Sequence, residues 1–304
     1  MNLLSIIGAG ASCFPKTILQ LRSFKALHRF ISFSRPFDEV PFMWEYVCRA
    51  EIANKANPDW AMKADKYAVR RFVAGRIGEK YLIPLYGVWA KPEDIDFDAL
   101  PDKFILKTNN GCATNVFVHD KSRLDRGEVI ARLRKSLAFP YPELTAQPHY
   151  SMINPCVIAE KLMEQGDGAG SLTDYKIHCV NGEPVRIYVF KDRDEVTHFD
   201  FKVMAFDEQW NEYPEALTDR FRAEPGSIAR PECLEEMLEA ARRLSAGEEY
   251  ARIDFYVIDG RLYFGEITLT PDTASHPAYP MTSMNVILDR IKADRRSGKS
   301  TKTF

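Results

Sequence analysis

The stretch from Arg252 to Pro271 constrains the fold more than any other. It reads Arg-Ile-Asp-Phe-Tyr-Val-Ile, then Asp259-Gly260, then Arg-Leu-Tyr-Phe-Gly-Glu-Ile-Thr. Ile253, Phe255 and Val257 alternate with Arg252, Asp254 and Tyr256, the period of a strand with one buried face. Leu262 and Phe264 alternate on the return run, and Asp-Gly between two such runs marks a tight hairpin turn. Folded this way, Asp254 and Glu266 are carboxylates that the hairpin can bring side by side. Burying an unpaired carboxylate costs several kcal/mol, so each needs a partner. A hard divalent cation is one: Mg²⁺ is typically held by one or two carboxylates plus substrate phosphates. The alternative is a solvated hairpin with its acids in water.

At 304 residues the chain is long enough to bury a large core and is expected to form one unit of two or three lobes. The net charge of −2 gives no electrostatic reason to expect nucleic acid as a partner. No apolar run reaches the roughly 20 residues that span a bilayer. Cys13, Cys48, Cys112, Cys156, Cys179 and Cys233 include no Cys-x-x-Cys pair. That argues against zinc and a disulfide framework and suits a reducing, cytoplasmic setting. The histidines lack metal-ligand spacing as well.

Met1 to Cys13 is apolar and small but has no basic segment before it, so a secretory signal is not expected. Gly8-Ala-Gly10 lacks the third glycine and the preceding strand of a dinucleotide turn. In Lys16 to Ile31, the residues Ile18, Leu21, Phe24, Leu27 and Ile31 follow helical spacing, with Arg22, Lys25 and Arg29 elsewhere on the wheel. Such a helix either packs on a core with a solvated face or lies on an anionic membrane surface.

Residues 36–96 read as mostly helical, with Trp44 to Asn54 and Ala64 to Ile77 periodic and Asn57-Pro58 breaking between them. Tyr81 to Trp89 is strand-like. From Pro101 the pattern turns β-rich: Phe104 to Lys107, Asn115 to His119 and Cys156 to Glu160 are strands, and Asp125 to Leu137 is a helix. Asp174 to Val180 and Val185 to Phe190 form a hairpin around Asn181-Gly182. Pro231 to Ser245 is an amphipathic helix with Pro231 at its start, and a last helix lies near Asn285 to Ile291. The tail from Arg295 onward is expected to fray. Strand groups, antiparallel hairpins and single helices together indicate an α+β protein.

Several charged residues fall in or beside apolar strands: Lys107, Glu160, Lys161, Lys176, Arg186, Asp254 and Glu266. Lysines and carboxylates converging from different strands suit a nucleoside triphosphate and its metal, because lysines act as point charges on phosphate oxygens. Lys161 and Lys176 read equally well as solvated strand edges, and Asn109-Asn-Gly111 as a simple turn.

Taken in order, these segments resemble the ATP-grasp superfamily, and within it the TupA-like ATP-grasp group linked to polysaccharide and teichuronopeptide biosynthesis. The resemblance begins at Asp65-Lys66-Tyr-Ala-Val-Arg70 and continues through Ile77 to Pro84 and Leu100 to Lys107. It reaches Ala159-Glu160-Lys161, resumes at Asp174-Tyr-Lys176 with Asn181-Gly182, and ends with Arg252-Ile-Asp254-Phe and Phe264 to Pro271. It implies an ATP-grasp fold: a short, mostly helical region over residues 1–98, a first lobe over 99–163 and a second, metal-binding lobe over 164–304.

By this resemblance Lys66 and Lys107 grip ATP from the first lobe, and Gly111 belongs to the loop that covers the phosphates. Glu160, Lys161 and Leu162 match the interlobe hinge that reads the adenine edge, largely by backbone groups. Asp174 matches a ribose ligand, Lys176 and, more loosely, Lys202 match phosphate lysines, and Asp254, Glu266 and Thr268 match Mg²⁺ ligands. Arg252 matches the arginine that steadies a substrate carboxylate or the developing oxyanion. Two departures stand out. The wider superfamily has Glu-x-Asn where this chain has Glu266-Ile-Thr268, a trait of the TupA-like pattern. Its phosphate loop tends to read His-Gly-Ser-Gly, against Asn110-Gly111-Cys112-Ala113 here, which gives up backbone freedom.

The resemblance implies an ATP- and Mg²⁺-dependent carboxylate–amine ligase working through an acyl phosphate, with Lys176 and Arg252 as the catalytic pair. The implied partners are an amine donor and a uronic-acid or amino-acid carboxylate on a surface polysaccharide or lipid-linked glycan, with residues 16–31 as a peripheral contact at the inner face of the membrane. The alternatives are a phosphotransferase on the same fold and a catalytically weak ATP-binding protein. Substrate recognition is left to the helical N-terminal part and the loop from Pro271 to Pro280.

Overall fold

The computed structural model describes residues 15–27, 30–112, 114–165, 172–193, 200–272, 276–280 and 282–300. The expectations for Met1 to Cys13, for Arg29 and for the last four residues lie outside these. The strands, in chain order, are β1 (Leu85–Trp89), β2 (Phe104–Thr108), β3 (Val116–Val118), β4 (Val157–Lys161), β5 (Asp174–Val180), β6 (Glu183–Lys191), β7 (Lys202–Phe206), β8 (Tyr250–Ile258) and β9 (Arg261–Thr268). They form two antiparallel sheets, so the protein is α+β.

Among the described residues, one compact unit comprises 15–18, 54–72 and 82–163. Its sheet runs β1-β4-β2-β3. Phe104 and Leu106 of β2, Val116 and Val118 of β3 and Val157 and Ala159 of β4 form a buried core with Val129 and Leu133 of the helix Arg126–Leu137. Asp125 starts that helix by accepting the Glu128 amide hydrogen bond with its side chain. Because side chains alternate, Ile105, Lys107, Ile158 and Glu160 share the other face of the sheet. Asn57-Pro58 separates two helices and also begins one: Pro58–Ala64 is helical, with Pro58 in its first turn and Asn57 Oδ1 accepting from the Asp59 amide at 3.0 Å. The helical run expected from Ala64 starts only at Val69, because Asp65 Oδ1 takes the amides of Tyr67 and Ala68 at 2.8 and 3.1 Å and folds the chain into a turn.

The second unit comprises, among the described residues, 19–53, 73–81 and 164–300. Its sheet runs β7-β6-β5-β8-β9. Both hairpin turns read from the sequence are present, and all four turn residues adopt positive φ: Asn181 49° and Gly182 85°, Asp259 51° and Gly260 72°. This is the geometry that two-residue hairpins require. Ile177, Cys179, Ile253 and Phe255 line a fully buried face, and the helix Leu234–Ser245 packs against β5, β6 and β8. That helix begins three residues later than expected, since Pro231 belongs to the preceding turn, where its carbonyl accepts from the Leu234 amide. Strand β7 carries no turn signal before it and was not expected.

Two further expectations are corrected in this unit. Arg295 does not fray: the last helix runs from Asn285 to Arg296, and Arg295 pairs with buried Glu249 through two 2.7 Å hydrogen bonds. Two members of the expected stripe on the helix Pro15–Leu27 are not buried either. Leu19 and Ser23 are buried, whereas Leu21 and Phe24 are 58% and 50% exposed. Polar contacts set this rotation: Trp44 Nε1 donates to Ser23 Oγ at 2.7 Å, and the Gln20 amide group exchanges two hydrogen bonds with the Ile31 backbone. Among the described residues no helix is long and apolar enough to cross a membrane.

Candidate functional site

In the first unit, Lys107 and Glu160 meet on the sheet face opposite that core. Glu160 is buried, and its carboxylate accepts from Lys107 Nζ at 2.8 Å and from Arg70 Nη1 at 2.6 Å. Arg70 is held in turn by the Ile83 carbonyl at 2.8 Å. Lys161 points to solvent while its backbone N–H bonds the Pro84 carbonyl, and Leu162 is buried. Lys66 Nζ donates to the Gly111 carbonyl.

Asn109 fixes that lysine. It is buried, and its Nδ2 donates to Asp65 Oδ1 and to the Asn154 carbonyl, while its Oδ1 accepts from the Cys156 amide at 2.7 Å. The Asp65-Lys66 turn is thereby tied to the end of β2. The sequence offered Asn109 only as part of a turn, and nothing there separates a buried asparagine from a loop one.

In the second unit, β5, β8 and β9 bring Asp174, Lys176, Arg252, Asp254, Glu266 and Thr268 onto one face. Lys176 stands opposite Asp254 on β8, and Asp254 stands opposite Glu266 on β9. The second pairing depends on a bulge. Counting back from the Asp259-Gly260 turn in strict register would set Glu266 against Ile253, on the buried face. Gly265 is the extra residue that moves Glu266 across. A Cβ on Gly265 would lie 3.0 Å from the Asp254 carbonyl oxygen, which is why the bulge takes a glycine.

Asp254 is 2% exposed and receives Lys176 Nζ at 2.5 Å and Arg252 Nε and Nη2 at 2.6 and 2.7 Å. Arg252 Nη2 also reaches Glu266 at 2.5 Å and Thr268 Oγ1 at 2.9 Å. Burial opposes the arginine's charge, but Asp254 and Glu266 outweigh it and raise its pKa. Asp174 pairs with Lys176 at 2.6 Å and keeps one buried oxygen, Oδ1, without a hydrogen-bond partner. Lys202 is not brought here. It lies on the outer strand β7 opposite Lys191, on the other face of the sheet, with Nζ bonded to the Arg220 carbonyl.

Among the described residues no three His, Cys, Asp or Glu side chains are grouped to hold a metal. Two carboxylates and a hydroxyl fit Mg²⁺ nonetheless. All three are hard oxygen donors, and this ion usually leaves its remaining positions to phosphate oxygens and water.

His178 lies opposite Arg186 on one side and Arg252 on the other. It is buried, with Nδ1 2.9 Å from the Tyr250 hydroxyl and Nε2 unpartnered. Burial, then the charges of Arg252, Lys176 and Arg186, push its pKa well below the ordinary range, so it is neutral at pH 7. A lone histidine in an apolar strand gave no sequence signal for this placement.

A four-stranded and a five-stranded antiparallel sheet, the first with paired lysine and glutamate and the second with an acid pair and arginine, describe an α+β protein of the ATP-grasp class. Residues 48–288 match the TupA-like ATPgrasp family, and the chain belongs to that family. Among solved structures, D-alanine–D-alanine ligase from Bacillus anthracis in complex with ATP is similar over 80% of this chain and 68% of that one, at 17% identity and a TM-score of 0.45. The ATP-grasp ligase PsnB in complex with its minimal precursor is similar over 80% of this chain and 62% of that one, at 14% identity and a TM-score of 0.38. D-alanine–D-alanine ligase from Helicobacter pylori matches over 75% and 61%, at 14% and 0.39. No curated protein matches the chain.

Proposed function

We propose that the protein is an ATP-dependent carboxylate–amine ligase. A substrate carboxylate oxygen attacks the γ-phosphate of ATP, giving an acyl phosphate and ADP. An amine then displaces phosphate and forms the amide. No covalent nucleophile on the protein is needed; its contribution is orientation and charge neutralisation. Mg²⁺ held by Asp254, Glu266 and Thr268 would neutralise phosphate charge.

The observation that carries this reading is the Asp254–Glu266 pair, set edge to edge with Arg252, Thr268 and Lys176. Lys176 would supply positive charge for phosphate, and Arg252, held between Asp254 and Glu266, would steady the tetrahedral oxyanion or a substrate carboxylate. Lys66, Lys107 and the Gly111 segment serve the nucleotide phosphates. Glu160, Lys161 and Leu162 serve the adenine edge, and Asp174 the ribose. The acid is a uronic-acid or amino-acid carboxylate of a surface polysaccharide or lipid-linked glycan, and the amine an amino acid or simple amine. Work on such an acceptor is cytoplasmic, at the inner face of the membrane, and exposed Leu21, Phe24 and Phe30 favour a peripheral contact there.

A phosphate-release screen of amino acids against uronic-acid acceptors, with mass spectrometry of the product, tests the reading. An amide with released phosphate is expected. A stable phosphate ester would make the protein a phosphotransferase, and ATP binding without turnover would make it a binding protein.

A further inference from the structure

Arg186 is a buried cation with no counter-ion among the described residues. It is 8% exposed, and its Nε and Nη1 have no hydrogen-bond partner. No carboxylate lies within ion-pair distance of it among the described residues. The other well-buried arginines are all matched: Arg49 by Glu45 and two backbone carbonyls, Arg70 by Glu160, Arg252 by Asp254 and Glu266, Arg295 by Glu249. Among the described residues Arg186 meets the Tyr213 ring, 3.9 Å from its Cζ, and that ring is fixed by the Tyr213 hydroxyl donating to Asp207 at 3.1 Å. A guanidinium offers five N–H donors, and leaving those of Nε and Nη1 dry and unpaired is unfavourable.

Its position gives the arrangement a use. Arg186 lies opposite His178, in the row that continues to Arg252 and Thr268, and so on the face that carries Lys176, Asp254 and Glu266. His178 Nε2, beside it in the ladder, is also buried and unpartnered. Two residues along β6, Tyr188 donates its hydroxyl hydrogen bond to the Ser283 carbonyl at 3.4 Å, and Ser283 Oγ and Asn285 Oδ1 are two more buried atoms without partners. Arg252 has its charge matched by two acids; the unmatched positive charge on this face is Arg186.

We propose that Arg186 anchors a second carboxylate of the ligase's substrates, one that is held and not activated. The proposal rests on the ligase reading above. Strand β5 alone separates β6 from β8, about 10 Å across the sheet. A small dicarboxylate or acidic amino acid bridges such a gap once a hydrogen bond of about 3 Å is added at each end. Planar, two-point recognition of a carboxylate is what a guanidinium does best.

The test is titration of the full-length protein with succinate and glutarate, against propionate and butyrate, followed by thermal shift and by ligand-observed NMR. Wild type, Arg186→Gln and Arg186→Lys are compared, with Mg²⁺·ATP binding measured in each. Wild type is expected to bind a dicarboxylate at least ten-fold more tightly than the monocarboxylate. Arg186→Gln loses that preference while keeping its affinity for ATP, and Arg186→Lys retains only part of it. Equal binding of mono- and dicarboxylates to wild type, or an undiminished preference in Arg186→Gln, overturns the proposal. So does displacement of the dicarboxylate by equimolar inorganic phosphate, which would assign Arg186 to the nucleotide. If Arg186→Gln does not fold, Arg186→Lys decides: an unchanged preference overturns the proposal. Wild type that shows the dicarboxylate preference but binds no ATP upholds this site and removes the ligase reading.

Discussion

Arg252 and Thr268 stand directly opposite one another across β8 and β9, and the guanidinium donates to the threonine hydroxyl at 2.9 Å while spanning both Asp254 and Glu266. One cation thus links every oxygen donor assigned to the metal. The two acids differ in setting, however: Asp254 is sealed, and the Glu266 side chain is 45% exposed.

That difference separates two variants. Glu266→Gln is expected to abolish Mg²⁺-dependent turnover and leave the fold intact, with a stability change within about 1 kcal/mol. Asp254→Asn strands Lys176 and Arg252 with less negative charge in a buried place and is expected to destabilise by about 3–5 kcal/mol. Urea unfolding and phosphate release check both. Full activity in Glu266→Gln would remove it from the metal site.

Lys107 is bonded to Glu160 and exposed enough to turn toward a ligand. Lys107→Ala is expected to weaken ATP binding by about 1.5–3 kcal/mol, the range for a hydrogen bond to a charged group. Calorimetry that finds unchanged affinity would take Lys107 out of the nucleotide site.

Arg295 closes the second unit from the C-terminal side through its fork on Glu249, whose carboxylate also accepts from the buried Tyr46 hydroxyl at 3.1 Å. Arg295→Met leaves a buried carboxylate without its cation and is expected to cost about 3–5 kcal/mol. Ending the chain at Asp294 should do at least as much harm. A melting temperature within one degree of wild type for either variant would contradict the pairing.

Burial lowers His149 and His276 from 6.5 to about 4. Between about pH 6.5 and 4 the unfolded chain therefore takes up protons at these rings that the folded chain does not. Stability is full above pH 6.5 and falls on acidification, by up to about 1.4 kcal/mol per pH unit per ring. His149→Gln should flatten the slope. Thermal melts from pH 7 to 5 measure it, and a flat wild-type profile would refute this account.

Local chemistry made much of the fold legible. Asn181-Gly182 and Asp259-Gly260 announce their turns, Asp125 its helix, and the alternation from Ile253 to Val257 its strand. What the sequence hid depends on distant partners. Leu21 and Phe24 keep helical spacing yet stay exposed, because Ser23 and Gln20 find Trp44 and Ile31 and set the helix's rotation. Lys202 looks like any lysine opening a strand; its face is decided by the register with Lys191. Arg186 was visible as a charge in an apolar strand, but that it has no counter-ion required every neighbour to be in place.

The pairing of Asp254 with Glu266 is a matter of parity. The two-residue turn and the one extra residue at Gly265 together set whether the glutamate counts as odd or even along its strand. With the Gly265 bulge kept, removing one residue between Gly260 and Gly265 would send Glu266 into the apolar layer and bring Ile267 out to face Asp254, and inserting one would turn Glu266 inward as well. Length in this segment is therefore as strict a requirement as residue type. A homologue that keeps the bulge in a hairpin one residue longer or shorter would have to draw its second acid from the neighbouring position.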